Sequence, residues 1–456
     1  MSLQNSEGAK YQWEGDDIAI PQAVLNDNES TVSKSRDLKT QTDPDVQLTP
    51  HQFPEGGTKA WLCVLGAFCS QFCAFGWTNT CGVFQEYYIQ NQLKDYSSTA
   101  VSWVTLLPTI IMFMGSLVVG RFFDSYGPRW ILLVGTVLES VGIMLTSICN
   151  SYGPILVCQG IVAPLGTACV YNASMGSVTT YFKRRRSLAL GIMSSGSSVG
   201  GVIFPILIRR LTVTVGFGWA MRAAGFLILA LLIVANLTVT SHVKPRGHYV
   251  PLSPAVIVNQ FRDSDFVLLG IAFCIIYLGF MLPFTYIVSY AAYKGVNGDT
   301  ANYLVAFLNA ASIFGRIIPA MIADKVGQYN MNSVFITIAG VIVLALWLPA
   351  TTQATNIVFA VLYGFFSGTF VALIPACVAQ ISDIHDIGMR VGLMFFLVAL
   401  PCMIGVPIGG VIIGNAMDEG RWMGMMIFAG VFMILGGIIH WIARVKLVGW
   451  SLRAVC

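Results

Sequence analysis

The chain has 456 residues, of which 55% are hydrophobic and only 11% are charged, and its mean hydropathy is +0.71. A soluble domain carries about a quarter charged residues, so this composition excludes a water-soluble protein and requires a lipid bilayer around much of the surface. The formal net charge of +4 is too small to favour nucleic acid as a partner. All the cysteines except Cys456 lie in apolar segments, which favours reduced thiols over disulfides. We find no Cys/His cluster with metal-ligand spacing, and expect neither a metal nor a cofactor.

The first 55 residues are polar, with few large apolar side chains. This composition predicts a disordered cytoplasmic tail. Regulatory phosphorylation at Ser30, Thr31 or Ser33 is an alternative to a tail that is simply solvated. The pattern of a cleaved signal peptide does not occur in this segment, so the first apolar segment is expected to start the membrane domain.

Twelve later segments are long enough to cross a membrane, which takes about 20 apolar residues. The first six lie near 60–84, 99–120, 129–149, 153–178, 187–209 and 218–240. The second six lie near 266–290, 300–322, 332–350, 355–380, 390–414 and 421–444. The sequence therefore predicts an all-α membrane protein with twelve transmembrane helices in two six-helix halves. We place the halves at 56–240 and 266–444, a cytoplasmic linker at 241–265 and a cytoplasmic tail at 445–456.

Lysine and arginine are concentrated in the even-numbered connections between these segments. The largest cluster runs from Lys183 to Arg186, between segments four and five, and further cations lie in the linker and the C-terminal tail. Because cytoplasmic loops carry the excess of cations, both termini are predicted to be cytoplasmic. Arg209 and Arg210, on the opposite side, are exceptions.

A short motif recurs at the same place in each predicted half. Gly120, Asp124 and Gly127 join segments two and three, and Ala320, Asp324 and Gly327 join segments eight and nine. In both copies a small residue precedes the aspartate by four positions and a glycine follows it by three. Repetition at equivalent connections indicates duplicated six-helix units, which is typical of transporters.

The repeated aspartates are candidates for a gate on the cytoplasmic face, together with the cations Arg129 and Lys325. Asp124 could accept hydrogen bonds from the N-terminus of a neighbouring helix, or pair with Arg129. Either contact would close this face until it breaks. The alternative is that each aspartate only ends its helix at the headgroup level.

The residues Gly120, Asp124, Gly127 and Arg129 resemble the signature of the major facilitator superfamily in the loop between helices two and three. Ser125 stands where that signature has a basic residue. Within the superfamily the chain resembles the fungal branch of the monocarboxylate porter family. The passages that carry this resemblance are 54–61, 82–88, 181–191, 201–205 and 218–222. The resemblance implies transport of a small molecule by alternating access.

The chain departs from animal monocarboxylate carriers at two of three charged positions. Arg316 matches their arginine in helix eight. Ser312 stands where those carriers have an aspartate, and Asn79 stands where they have a lysine in helix one. The resemblance therefore does not imply simple proton–lactate symport.

Polar residues within the apolar segments are the candidates for substrate binding. Asn302, Asn309, Ser312 and Arg316 are spaced to lie on one face of segment eight, which should face the bundle interior. Arg316 could bind a carboxylate through two hydrogen bonds; alternatively it reaches the cytoplasmic surface or pairs with Asp324. The further candidates are Gln71, Thr78 and Asn79 in segment one, Tyr171 and Asn172 in segment four, and Tyr277 and Tyr286 in segment seven. Helix–helix hydrogen bonding is the alternative for the polar groups of segments one and four.

Further ionisable side chains lie within the apolar segments or in the loop after segment ten. Glu139 in segment three is the clearest intramembrane carboxyl group, and is either a proton carrier or a structural hydrogen-bonding group. His440 is expected to be a packed histidine rather than a proton relay. Asp383, His385 and Asp386 are expected to form a solvated loop rather than a metal site.

These features predict a secondary transporter for a small organic anion or amphipathic metabolite, with export of a secondary metabolite favoured. Uptake of a monocarboxylate or of a nutrient such as riboflavin is the alternative, and a non-transporting receptor is the rival from another class. The chain is not expected to be an enzyme. Protons are the candidate coupling ion, with facilitative transport as the alternative, and the chain has no Walker motif for ATP. We expect a monomer as the working unit and the plasma membrane as its location, with the vacuolar membrane as the alternative.

Overall fold

A computed structural model describes residues 53–249, 251–414 and 418–450, and within them every regular element is helical. Twelve of these helical segments are long and apolar enough to cross a membrane. Spans one to six are Thr58–Gln90, Ala100–Tyr126, Pro128–Thr146, Tyr152–Tyr181, Arg186–Val215 and Phe217–Thr238. Spans seven to twelve are Ser264–Tyr293, Tyr303–Val326, Gln328–Trp347, Gln353–Gln380, Ile387–Ile413 and Glu419–Val448. The predicted all-α membrane architecture is therefore confirmed.

Several predicted boundaries need correction. Span one is not one continuous helix, because a first helix ends at Thr78 and a second runs over Cys81–Gln90. Asn79 therefore caps a helix end instead of lying within a helix. Span twelve continues to Val448, beyond the predicted start of the C-terminal tail at 445. The predicted linker contains a short helix, Pro254–Gln260. The phosphorylation candidates in the tail lie outside the described residues.

Two glycines of the repeated motif make the sharp turns between consecutive spans. Gly127 and Gly327 have φ angles of +77° and +109°, in a region that side chains with a Cβ rarely adopt. Gly127 ends the helix of span two, and Pro128 begins the next helix at once. Gly327 occupies the same place before Gln328 in span nine. The glycine of the motif is thus explained by the backbone conformation of the turn.

Two long helix pairs connect the first six spans to the last six. Span two packs along span eleven, and span five packs along span eight. Small residues permit this contact: a Cβ built on Gly120 would lie 2.1 Å from the carbonyl oxygen of Gly388, and one built on Gly191 would lie 2.3 Å from that of Arg316. These pairs carry the motif residues and the candidate site.

Candidate functional site

Both motif aspartates cap the N-terminus of a helix in the opposite group of six spans. The carboxylate of Asp124 accepts hydrogen bonds from the backbone N–H groups of Gly388 at 3.0 Å and Met389 at 2.7 Å, at the start of span eleven. Asp324 accepts from the N–H groups of Ser187 at 2.8 Å and Leu188 at 3.1 Å, at the start of span five. The negative charges compensate the positive ends of the two helix dipoles. We call these contacts the two carboxylate caps.

The cations of the motif do not take part in the caps. Arg129 and Lys325 are exposed, and neither pairs with a carboxylate among the described residues. The alternative of an Asp124–Arg129 pair is therefore wrong for this structure. Arg121 pairs instead with Asp386 at 3.3 Å, and Arg246 of the linker pairs with the same carboxylate at 3.1 Å.

Span eight contacts span five through a continuous row of polar and small residues. The hydroxyl of Ser198 donates to Ser312 at 3.2 Å. Arg316 donates from Nε to Ser312 at 3.2 Å and from Nη1 to the carbonyl of Ser194 at 2.7 Å and the hydroxyl of Ser197 at 2.5 Å. Arg316 therefore neither reaches the cytoplasmic surface nor pairs with Asp324, and both sequence-based alternatives are wrong.

Arg316 is a buried cation without a carboxylate partner. Only 7% of the residue is exposed, and no described carboxylate lies within salt-bridge distance. Its guanidinium interacts electrostatically with the phenol groups of Tyr171 and Tyr277. Burying an unpaired charge is costly. An arginine in this state is suited to receive an anion from outside the protein.

The two tyrosines beside Arg316 belong to an aromatic cluster contributed by five spans. The cluster consists of Phe75, Phe113, Tyr171, Tyr277 and Phe395, from spans one, two, four, seven and eleven, with neighbouring ring centroids 5.2–6.1 Å apart. Four of these rings are buried, and Phe75 is half-buried. The cluster fills the space between the two groups of spans and offers an apolar surface beside a cation.

The remaining candidates divide into those near this centre and those bound elsewhere. Gln71 lies one turn before Phe75 and is 2% exposed, and its Nε2 has no hydrogen-bond partner in the part of the chain that the structure describes. The amides of Asn79 and Asn309 both lie against Gly201, where a built Cβ would be 2.7 Å from Asn79 Nδ2 and 2.9 Å from Asn309 Oδ1. The side chain of Asn302 lies outside the described ones.

Asn172 and Tyr286 make internal hydrogen bonds. Asn172 donates from Nδ2 to the hydroxyl of Ser116 and to the carbonyl of Ala168, both at 2.8 Å. Tyr286 donates to the carbonyl of Val406 at 3.0 Å, away from the aromatic cluster. The helix–helix alternative therefore describes Asn172 in this structure, although its Oδ1 has no partner.

His440 lies in a packed polar cluster of spans nine and twelve. The hydroxyl of Ser333 donates to the carbonyl of Tyr329 at 2.7 Å and therefore accepts from His440 Nδ1 at 2.6 Å. Asn332 Nδ2 lies 3.5 Å from His440 Nε2. This pattern fits a neutral, hydrogen-bonded imidazole. In the loop after span ten, Asp383 is exposed, and Asp386 forms ion pairs with Arg121 and Arg246. The described residues contain no group of three metal ligands.

Sequence reasoning missed the role of Glu55. Its carboxylate accepts hydrogen bonds from the N–H groups of Lys183, Arg184 and Arg185 at 3.0, 2.7 and 3.3 Å. Its φ of +52° is unusual for a residue with a Cβ. The segment 53–55, predicted as part of a disordered tail, is therefore bound to the basic loop before span five. The available signal was an acidic residue beside two glycines, just before the first apolar segment.

A comparison with protein families decides the assignment. The description "Major Facilitator Superfamily" matches residues 66–361. The chain belongs to the major facilitator superfamily. Its members are membrane transporters, and this chain is a multi-pass member with twelve spans.

Curated relatives in this superfamily come from fungi. The chain is 45% identical to "MFS-type transporter 1" of Ophiocordyceps sp. over 92% of both chains. It is 38% identical to the "Fujikurins efflux protein" of Gibberella fujikuroi, over 92% of this chain and 87% of the relative. It is 34% identical to the "Aspyridones efflux protein apdF" of Emericella nidulans, over 91% of this chain and 84% of the relative.

Solved structures support the fold. The crystal structure of the human organic anion transporter MFSD10 (TETRAN) aligns with a TM-score of 0.67 at 12% identity, covering 84% of this chain and 98% of that chain. At this identity the likeness concerns the fold alone.

Proposed function

We propose that this protein exports a small organic anion with an apolar, aromatic-binding body, in the manner of a fungal secondary-metabolite efflux transporter. The observation that carries the proposal is the buried Arg316, which has no carboxylate partner and adjoins the aromatic cluster. A carboxylate or enolate would neutralise the guanidinium, and the aromatic rings would hold the apolar body. Efflux as the direction is supported by the names of the fujikurins and aspyridones relatives.

The transport cycle that we propose alternates access between two six-helix halves, 56–240 and 266–444. Asp124 and Asp324 each cap a helix across the interface of these halves. Loading the anion from the cytoplasm requires both caps to break. Binding in the closed centre requires the aromatic rings to separate. Both movements fit rocking of the halves around a central site.

The proposed topology places both termini in the cytoplasm, with the protein acting as a monomer in the plasma membrane. The exposed side chains of Lys183, Arg184 and Arg185 lie on the same face as the two caps, and this charge bias supports a cytoplasmic location. We also propose that the chain stands in the fungal branch of the monocarboxylate porter family, on the passages 54–61 and 181–191. Protons are the proposed coupling ion.

Transport in vesicles tests the proposal. In inside-out vesicles that carry the full chain, the cytoplasmic face is turned outwards, so export appears as uptake. Labelled short monocarboxylates, riboflavin, and aromatic or polyketide acids are added to the outside solution, and their accumulation is measured. We expect accumulation of an acid from the last group by wild type and its loss in Arg316→Gln. Arg210→Gln is the matched control, because Arg210 is an exposed arginine at the far end of span five. Equal transport by the Arg316 and Arg210 variants would contradict an anion site at Arg316. Accumulation of riboflavin alone would contradict an organic anion as the substrate.

A further inference from the structure

Glu139 of span three is a fully buried carboxyl group that the anion site does not use. Its exposure is 0%, and neither carboxyl oxygen has a hydrogen-bond partner among the described residues. An ionised carboxylate without partners is very costly to bury. The surroundings of Glu139 therefore favour its neutral, protonated form.

No cation faces Glu139 from the helices packed around it. The titratable groups that interact with it are the thiols of Cys73 on span one and Cys169 on span four. Span six contacts span three through a neutral hydrogen bond, from Asn236 Nδ2 to the hydroxyl of Thr136 at 2.8 Å, about one turn from Glu139. The only cation in the helix of span six, Arg222, binds the hydroxyl of Ser147 at 3.2 Å near the end of span three. The charge of Glu139 can therefore be removed only by a proton.

Thr167 of span four is the hydroxyl that interacts with Glu139. The hydroxyl can donate to the carbonyl of Ala163 at 3.1 Å or rotate to donate to an ionised Glu139. A protonated carboxyl group can itself donate, and Thr167 can then accept from it while it donates to Ala163. The Glu139–Thr167 contact can therefore be made with either form of Glu139, with the direction of the hydrogen bond reversed.

Thr167 also lines a cavity that lies between spans one, two and four. The cavity has a volume of about 20 Å³, which is enough for about one water molecule. Its polar lining includes Thr78, Thr105, Gln159 and Thr167, which can hold water between apolar walls. It adjoins the end of span one that is opposite the segment 53–57, which is the outer side in the proposed topology.

Glu139 and the anion site are linked through one helix. Thr167 and Tyr171 lie one turn apart on span four. Thr167 interacts with Glu139, and Tyr171 interacts with Arg316 and belongs to the aromatic cluster. Gly166 holds spans three and four at close range, because a Cβ built there would lie 2.3 Å from the backbone nitrogen of Glu139. A change at Glu139 therefore acts on a tightly packed helix that also carries a ring of the site.

We propose that Glu139 is the proton-binding site of this transporter, and that protons reach it from the outer side through the cavity and Thr167. The proposal rests on the proposed function in taking an organic anion as the exported molecule. In each cycle one proton enters and binds the carboxylate oxygen, one anion leaves, and the proton is released towards the cytoplasm. Two elementary charges therefore move in the same electrical sense, and an inside-negative potential drives export as well as the pH gradient.

Infrared difference spectroscopy on the full chain in lipid vesicles tests the proton site without any substrate. We expect a protonated-carboxyl band in wild type that disappears in Glu139→Gln and loses intensity as the pH is raised. Glu139→Asp should retain a titrating band. Thr167→Val should slow the deuterium shift of the band, whereas Ser140→Ala should not, since Ser140 is a neighbouring buried hydroxyl that does not line the cavity. Identical wild-type and Glu139→Gln spectra at every pH would overturn the proposal.

Transport of labelled 2-naphthoate across the same vesicles tests the coupling. We expect a proton gradient to stimulate wild type several-fold, and Glu139→Gln to respond to the gradient no more than protein-free vesicles do. Glu139→Asp should regain part of the stimulation. Full stimulation in Glu139→Gln would overturn the proposal. Equal transport of 2-naphthoate by wild type and Arg316→Gln would count against the anion site but not against the proton site. The infrared measurement of the proton site does not depend on Arg316.

Discussion

At the scale of one residue, Arg316 is a buried cation whose charge is not neutralised by a carboxylate among the described residues. Its hydrogen bonds go to the neutral oxygens of Ser194, Ser197 and Ser312, which orient the guanidinium but leave its charge uncompensated. A hydrogen bond to a charged group contributes about 1.5–3 kcal/mol. Losing this charge should therefore weaken anion binding roughly tenfold to a hundredfold, which is large enough to separate the substrate role from a packing role.

The pair Asp263–Arg390 gives a prediction for pH dependence outside the membrane. Burial alone would raise the pKa of Asp263, but hydrogen bonds from Arg390 and from the N–H groups of Asp265 and Phe266 outweigh it, so the pKa lies below its ordinary value of 3.8. A carboxyl group with a lowered pKa stabilises the fold above its unfolded-state pKa, and this contribution is lost as the pH falls through the folded-state pKa. We expect Asp263→Asn to lower the thermal midpoint at pH 7 and equally at about pH 5.

Thermal unfolding of the purified protein over a pH series measures this effect. The difference between wild type and Asp263→Asn should disappear only in strongly acidic buffer, below about pH 3. Asp95→Asn, at an exposed position, is the control and should leave the midpoint unchanged. A difference that disappears near neutral pH would contradict the assignment to this carboxyl group.

For single residues, the sequence predicts which charged side chains lie within the membrane, but not which residues surround them. Arg316 and Glu139 could be found because a charge within an apolar segment is conspicuous. The rings of Phe75, Phe113 and Phe395 could not, because aromatic residues are common in lipid-facing and buried helices alike. Which rings meet depends on helix rotation and crossing, and a single sequence does not specify either.

The repeated motif is explained at the scale of the helix pair. The small residue permits contact with the facing helix, the aspartate caps that helix four positions later, and the glycine forms the following turn. The spacing follows from one helical turn between the contact and the cap. Sequence alone predicted a helix N-terminus as one partner of Asp124, but the identity of that helix required the tertiary structure.

Removing the charge of a cap should weaken closure of the face that is cytoplasmic in the proposed topology. We expect Asp124→Asn and Asp324→Asn each to cost about 0.5–2 kcal/mol, because the loss of a cap and of its interaction with the helix dipole has this size. The measurement is the labelling rate of single cysteines introduced on the cytoplasmic ends of spans five and eleven, which should rise in both variants. Asp383→Asn, on an exposed loop of the same face, is the control. Unchanged labelling would show that the caps do not hold this face closed.

The close approach of spans two and eleven gives a second prediction for a helix pair. Gly120→Ala would place a Cβ 2.1 Å from the carbonyl oxygen of Gly388, so the two helices must separate. We expect a destabilisation of about 1–3 kcal/mol, as for other overpacked contacts. Gly82→Ala is the matched control, since a Cβ there meets nothing within 4 Å. Equal thermal midpoints for the two variants would contradict the tight crossing.

For the whole molecule, the structure captures a state in which the side that carries both caps, the cytoplasmic side in the proposed topology, is closed and the centre is filled. Both caps are formed, and Asp386 adds ion pairs with Arg121 and Arg246 on the same face. Export then requires the cytoplasmic contacts to break while the anion loads. Composition and hydropathy sufficed to predict twelve helical spans. They did not predict the broken first span or the bound segment 53–55, because both depend on local contacts with distant residues.

The most direct test of the central claim is the binding of an aromatic acid compared with its uncharged methyl ester. The thermal midpoint of the purified full-length protein is measured with each compound at equal concentration, because a ligand of the folded state stabilises it according to its affinity. We predict that the acid raises the midpoint of wild type and of Arg210→Gln, that the ester does not, and that Arg316→Gln responds to neither. Equal stabilisation by acid and ester, or an undiminished response of Arg316→Gln to the acid, would contradict an anion site at Arg316.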